Sequence, residues 1–256
     1  MTPTPSGELV HLGVDRAVAT ITLDSPANRN ALSTRLVAEL HAALEAAREP
    51  AVRAVILTAT GSVFCSGADL SEAAATGGGA APGFRDVLES LWEFPKPVVA
   101  KLNGHVRAGG LGLVAAADIV IAPAGATFAF AEVRIGVAPA IIGVLCCRRM
   151  SPRAAGRYLL TGERFDAREA MDSGLVTIVA EVDEIDARTE AVLDDIRGTE
   201  PNAVAATKAL LRDLPGLSVA AGLRHAETIS AQLFGSAEAA EGIAAFKEKR
   251  PPRWQI

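Results

Sequence analysis

Asn103-Gly104-His105-Val106-Arg107-Ala108-Gly109-Gly110-Leu111-Gly112 is the stretch on which the fold turns. It follows a strand-like run, Pro97–Leu102, and opens a small-residue helix over 109–117. Glycines ahead of a helix start let a ligand approach the backbone closely, and the helix dipole favours negative charge there. One reading of Gly110-Leu-Gly112-Leu-Val-Ala115 is a dinucleotide fingerprint, with Glu132 lying 22 residues after Gly110. Two things oppose it. The glycines lie well past the tip of the preceding strand, and two short strand-like runs, 118–121 and 127–130, stand where a βαβ unit has one.

Outward from this centre the chain reads as strand-rich and then helix-rich. Leu9–Val14 and Ala17–Leu23 alternate as strands around a turn at Asp15-Arg16. Ser33 caps a helix over 34–48, Pro50 stops it, and 52–58 is a buried strand. Gly61–Gly67 reads as a small-residue turn, and Gly77–Gly83 as a flexible surface loop. Asp166 with Glu169 makes a capping box, and Val176–Val179 is a last strand. Helices follow at about 183–197, 201–213, 218–234 and 236–249. The expectation is an α/β core over 1–195 and a helical region over 196–256 whose short, Ala-rich helices form an association surface.

Composition narrows the function. Half of the 256 residues are apolar and 21% are charged, which supports a large core. The net charge of −5, with scattered basic residues, argues against nucleic-acid binding but leaves room for a local anion site. No apolar run reaches the roughly 20 residues that span a bilayer, and MTPTPSGELV lacks a signal-peptide layout, so no membrane association and a cytoplasmic location are expected. Three cysteines, Cys65, Cys146 and Cys147, make neither a disulfide framework nor a zinc site. No GxSxG accompanies the four histidines, which disfavours a triad hydrolase.

Two further segments carry chemistry. In Phe64-Cys65-Ser66-Gly67-Ala68-Asp69-Leu70 a strand ends in small residues and turns into a helix, leaving N–H groups free to meet an oxyanion, or simply making a glycine turn with Asp69 as cap. In Phe128-Ala-Phe130-Ala-Glu132-Val-Arg134-Ile-Gly136, Glu132 is a lone acid after an apolar strand, suited to proton shuttling or to an ion pair with Arg134.

These three segments, in this order, resemble the crotonase (enoyl-CoA hydratase/isomerase) family. The resemblance runs from Pro26-Ala-Asn-Arg-Asn30-Ala31-Leu32 through Ala117-Asp118-Ile119 and Leu160-Thr161-Gly162-Glu163 to Phe246-Lys247-Glu248-Lys249-Arg250. It implies a spiral of ββα units with C-terminal helices that assemble trimers, often paired as hexamers. The N–H groups of Ala68 and Gly109 would hold a thioester oxygen as an enolate develops, and Glu132 would be the acid/base. Arg29, Ala31, Ser66 and Ala68 would lie along coenzyme A, with Phe246 and Lys249 of a neighbouring subunit completing the nucleotide pocket. Coenzyme A would arrive as part of the substrate, with no permanently bound cofactor or metal.

One departure matters. Family hydratases commonly use two glutamates, and the first falls at Gly112, which has no side chain. Three readings follow: a hydratase working through Glu132, a double-bond isomerase, or an acyl-CoA-binding protein without chemistry. The Gly-Gly-x-Gly-Leu, Glu-Val-Arg-x-Gly and Phe-x-Glu-Lys-Arg combination looks like the methylglutaconyl-type hydratases, which favours the first. If the substrate carries a distal carboxylate, Arg107 or Arg134 would meet it; otherwise both serve surface or structural ion pairs. The 77–83 loop would be a lid, and Phe84, Trp92 and Met150 would line the acyl pocket or pack in the core.

Overall fold

A computed structural model describes residues 7–75 and 79–255. The chain winds in repeated turns, each giving one strand to a large sheet and one to a small sheet before a helix closes the turn. The first turn differs: β1 (Val10–Asp15) and β2 (Val18–Leu23) form a hairpin. Its two linking residues, Arg16 and Ala17, both take positive φ, 42° and 60°, as a tight hairpin of this twist requires. Alternation alone puts Ala17 in the strand, which begins instead at Val18. In α1 (Thr34–Ala46) the Ser33 hydroxyl accepts the Leu36 N–H, and Leu36, Val37, Leu40, Ala43 and Leu44 face the core.

The next turns repeat the pattern. β3 (Ala54–Ala59) and β4 (Val63–Cys65) lead into α2 (Leu70–Ala75) and α3 (Phe84–Trp92). β5 (Val98–Lys101) and β6 (His105–Arg107) lead into α4 (Gly109–Ala116). β7 (Ile119–Pro123) and β8 (Thr127–Ala129) lead, through a 3₁₀ turn at Ala131–Ile135, into α5 (Ala140–Arg149). Then come α6 (Pro152–Thr161), β9 (Phe165–Asp166), α7 (Ala167–Asp172), β10 (Ile178–Ala180), α8 (Ile185–Arg197), α9 (Pro201–Asp213), α10 (Val219–Phe234) and α11 (Ala237–Glu248). The large sheet has the order β1-β2-β3-β5-β7-β10 and the small one β4-β6-β8-β9. Every pairing is parallel except β1 with β2 and β8 with β9. This is an α/β spiral of ββα units.

The small sheet corrects the sequence reading. β4 lies inside the expected Gly61–Gly67 turn, and β6 inside the expected loop after 102. Strands of two or three residues carry no countable alternation, and it is the stacking of successive turns that makes them strands. Of the expected 77–83 lid, Gly77 and Gly78 lie outside the described residues.

Central α4 is apolar on every side, and all of 110–116 is buried. Beside it, Phe128, Phe130 and Tyr158 gather around Phe165, with Tyr158 and Phe165 stacked at 4.0 Å. The C-terminal helices differ. No residue of α9 is buried, and Gly222 alone is buried in α10. Val219, Leu223, Phe234 and Phe246 stand exposed. This region is tied to the core by polar bonds: Lys208 Nζ meets Asp118 Oδ2 at 2.6 Å and donates to Lys96 O, while Arg53 donates to the carbonyls of Trp254 and Thr199. Burial holds the Lys208 ammonium below the ordinary lysine range against the opposing pull of Asp118.

Asn30 fixes the loop after β2. It is fully buried at φ +54°; its Oδ1 accepts the Ser25 N–H at 2.7 Å, and its Nδ2 donates to Thr60 O and Val63 O at 3.0 and 2.8 Å. Asn30→Ala takes this partner from the Ser25 N–H and from Val63 O, leaves Thr60 O with Asn103 Nδ2 alone, and puts a Cβ residue with no compensating bond at a left-handed position. The expected loss is about 3 kcal/mol. It is read as a lower urea midpoint at constant slope; an unmoved midpoint would refute this role.

Candidate active site

The loop that Asn30 anchors pairs with the Ser66–Asp69 turn. The Leu32 N–H donates to Gly67 O at 2.8 Å, the Asp69 N–H donates to Leu32 O, and Arg29 O accepts the Ser66 N–H. In such a parallel bridge between Leu32 and Ala68, the N–H of Ala68 itself points away from the pairing. The cap reading of Asp69 holds: its Oδ1 accepts the Ser71 N–H and hydroxyl, which holds its carboxyl below the usual range.

The second N–H comes from the start of α4. Gly109 is its first helical residue, so its N–H has no acceptor one turn earlier. Ala108, ahead of it, takes φ +46° and ψ −122°, a conformation costly for any residue with a Cβ. The two turns touch. A Cβ on Gly67 would stand 2.6 Å from Ala108 Cβ and 3.2 Å from Gly109 N. Only a residue without a Cβ at 67 lets the two turns pack this closely.

Glu132 completes the arrangement from the 3₁₀ turn after β8. Its Oε2 is buried and finds no hydrogen-bond partner among the described residues. Burial pushes the carboxyl above the ordinary glutamate range, opposed in part by a bond with its own backbone. The expected pairing with Arg134 does not form: Arg134 donates its Nε–H to Gly162 O at 2.8 Å. Ala68, Gly109 and Glu132 line one cavity of about 470 Å³, together with Ser66, Leu32, Phe84, Ile135, Val137, Ile141 and Ile142. Residues with two backbone N–H groups free of helix and bridge pairing share a largely apolar cavity with a desolvated carboxyl, a set of groups able to stabilise an oxyanion and to move a proton.

Residues 13–256 match the family model described as enoyl-CoA hydratase/isomerase. The chain belongs to that family. Among relatives, a putative enoyl-CoA hydratase of Thermus thermophilus is 37% identical, covering 93% of this chain and 97% of its own. A carnitinyl-CoA dehydratase of Proteus mirabilis is 34% identical over 96% and 98%. Among solved structures, an enoyl-CoA hydratase/isomerase from Marinobacter aquaeolei superposes with a TM-score of 0.91 at 32% identity, covering 98% of this chain and all of that one. Pseudomonas aeruginosa AtuE gives 0.91 at 38% identity, covering 97% and 100%. The spiral is therefore the family's crotonase fold, and the comparisons specify no branch within it.

The other expected residues are distributed around this cavity. Arg29 and Ala31 sit on the paired loop, outside its lining. Phe246 and Lys249, at the end of α11, do not line it within one chain, and Phe246 is 86% exposed. Arg107 is taken up by bonds to Val106 O, Thr127 O and the Thr127 hydroxyl, so neither it nor Arg134 reaches the pocket. Phe84 does line it. Trp92 instead lies under the Arg149 guanidinium at 4.6 Å, and Met150 is buried in the core. The wall residues Leu32, Val137 and Ile142 carry no chemical signature that a sequence reading responds to. Among the described residues, no cluster of three His, Cys, Asp or Glu is placed to hold a metal, and no helix is long and apolar enough to cross a membrane.

Proposed function

We propose that this protein is an acyl-CoA hydratase that adds water across the double bond of a 2-enoyl-CoA thioester. The observation that carries the reading is the unpartnered Oε2 of Glu132 in the same cavity as the N–H groups of Ala68 and Gly109. The thioester oxygen accepts from those two N–H groups. Glu132 takes a proton from water as its oxygen bonds to C3, the electron pair moves to the enolate oxygen, and the carboxylic acid returns the proton to C2. One carboxyl thus serves as base and then acid, and desolvation matches its affinity for protons to both duties.

Coenzyme A lies along Arg29, Ala31, Ser66 and Ala68 in this reading. Phe246 and Lys249 reach the nucleotide from a neighbouring subunit in a homotrimer or a dimer of trimers, with the 196–256 region as the association surface. The exposed apolar residues of α10 and α11 support that role. A cytoplasmic location and the absence of a permanently bound cofactor complete the proposal. A second reading, a 3-enoyl to 2-enoyl isomerase, is favoured by the single carboxylate, since carbon-to-carbon proton transfer needs no second group to hold water.

The test is a panel of 2-enoyl and 3-enoyl CoA thioesters followed by mass spectrometry. A gain of one water on a 2-enoyl thioester supports the hydratase. Mass-neutral conversion of a 3-enoyl thioester supports the isomerase. Saturable binding with no turnover of either would reject both in favour of a non-catalytic acyl-CoA-binding protein.

A further inference from the structure

Gly112 lies on α4 three residues past Gly109, yet it does not line the cavity; Ile142 of α5 does. A Cβ on Gly112 would stand 2.6 Å from Ile142 Cγ2, 3.2 Å from Ile142 Cβ and 3.3 Å from Leu88 Cδ2. Ile142 is 3% exposed, and its other side is packed into the core. This isoleucine is therefore the partition between the cavity and the bare backbone of Gly112, on the side that faces the protein interior.

The rest of the lining has the same chemistry. Among the described lining residues Glu132 is the one ionisable group and Ser66 the one hydroxyl. Arg107 and Arg134 are held by carbonyls. A charged group at the far end of an acyl chain would enter hydrocarbon with no counter-ion, which is strongly unfavourable.

We infer that Ile142 is the specificity-determining residue of the acyl subsite: its side chain over Gly112 closes the inner end with hydrocarbon, and the subsite selects uncharged hydrocarbon acyl groups of limited length. The inference rests on the acyl-CoA reading above and speaks against a substrate with a distal carboxylate. Removing the Ile142 side chain vacates the space it fills against Gly112 and opens it to the cavity, so the subsite deepens without losing Glu132 or either N–H donor.

Two readouts test it. Titration calorimetry with unreactive saturated acyl-CoA thioesters of four to twelve carbons gives a length profile of affinity, and the 2-enoyl series gives the same for kcat/KM. In Ile142→Ala both optima move to chains at least two carbons longer, with a gain of about 10-fold or more for the longer thioesters, the scale of one or two methylenes in an apolar pocket. Ile142→Val, which keeps the core nearly filled, shifts them the same way by less. For the wild type, a thioester ending in a carboxylate binds about 100-fold more weakly than its hydrocarbon analogue of equal length. An unchanged length profile in folded Ile142→Ala and Ile142→Val, or a wild-type preference for the carboxylate, would overturn the inference and leave the hydratase reading standing. Failure of every CoA thioester to bind would overturn both.

Discussion

Glu132→Gln is expected to lower turnover by about 10⁴-fold while leaving the affinity for a saturated acyl-CoA within about 2-fold. Acid–base groups contribute roughly 10²–10⁴ in rate, and a site with one carboxyl places the whole burden on it. The same substitution is expected to raise stability at neutral pH. The Glu132 carboxyl is harder to ionise in the folded chain than in the unfolded one, because burial raises its pKa. The folded state therefore holds the proton more tightly, and stability falls as pH rises from the ordinary glutamate value through the raised one. At pH 7 the ionised, unpartnered carboxylate costs stability, and glutamine removes that charge. A gain of a few tenths to about 1 kcal/mol, or roughly 2–4 °C per kcal/mol in Tm, is expected. In the wild type, the acidic limb of kcat/KM lies above the pH at which an exposed glutamate titrates, because the base form is required. Retained turnover in Glu132→Gln, or a variant less stable than wild type at pH 7 and equally stable at pH 4, would remove Glu132 from this role.

The pairing of lost activity with gained stability separates a catalytic carboxyl from a structural one. A glutamate held in an ion pair with Arg134 would show the reverse, losing stability when replaced. Such a pair was a fair expectation from the sequence, where the two residues are two apart at a strand end. It fails because the segment is a 3₁₀ turn whose residues project in different directions, and because Arg134 caps Gly162 O instead. Long elements were legible for the opposite reason. The α1 stripe, the Asp166–Glu169 capping box and the Ser33 cap are all set by contacts within a few residues, so the local pattern carries the answer.

Contacts between distant segments escaped that reading. The glycines of the 109–112 stretch invite a nucleotide explanation, yet their space is taken by protein. A Cβ on Gly110 would meet Cys65 Cβ at 2.8 Å, and one on Gly112 would meet Ile142, thirty residues further on. Here glycine serves close packing of a central helix against β4 and α5. A period of small residues cannot distinguish that from close approach of a phosphate. Nor does it name Ile142, whose importance comes from the glycine it faces. The helices α9–α11, expected from their short, Ala-rich sequences to form an association surface, leave Leu211, Val219, Leu223, Phe234, Ile243 and Phe246 exposed within one chain.

Gly109→Val is expected to lower kcat/KM by about 10²–10³-fold in a chain that still folds. A Cβ at this position stands 2.7 Å from Leu32 Cδ1 and 3.6 Å from both Gly67 Cα and Phe84 Cζ. The Leu32 methyl is the end of a side chain that borders the cavity, so alanine is absorbed by a small rotation, and a loss of about 10-fold suffices for Gly109→Ala. Valine's branch has no such room. It projects between the two turns where the proposed mechanism seats the thioester oxygen, and removal of one such donor alone is worth about 10²–10³. Gly67→Ala probes the same contact from the other side with a different signature. Its φ of +92° disfavours any Cβ, and its obstacles, Ala108 Cβ at 2.6 Å and Gly109 N at 3.2 Å, belong to or sit directly on the backbone. That variant loses activity and about 2–4 kcal/mol of stability together. Gly125→Ala, with nothing within 4 Å, changes neither and serves as the control. Folded Gly109→Val with wild-type kcat/KM on the best thioester would mean that the oxygen is not held between Ala68 and Gly109.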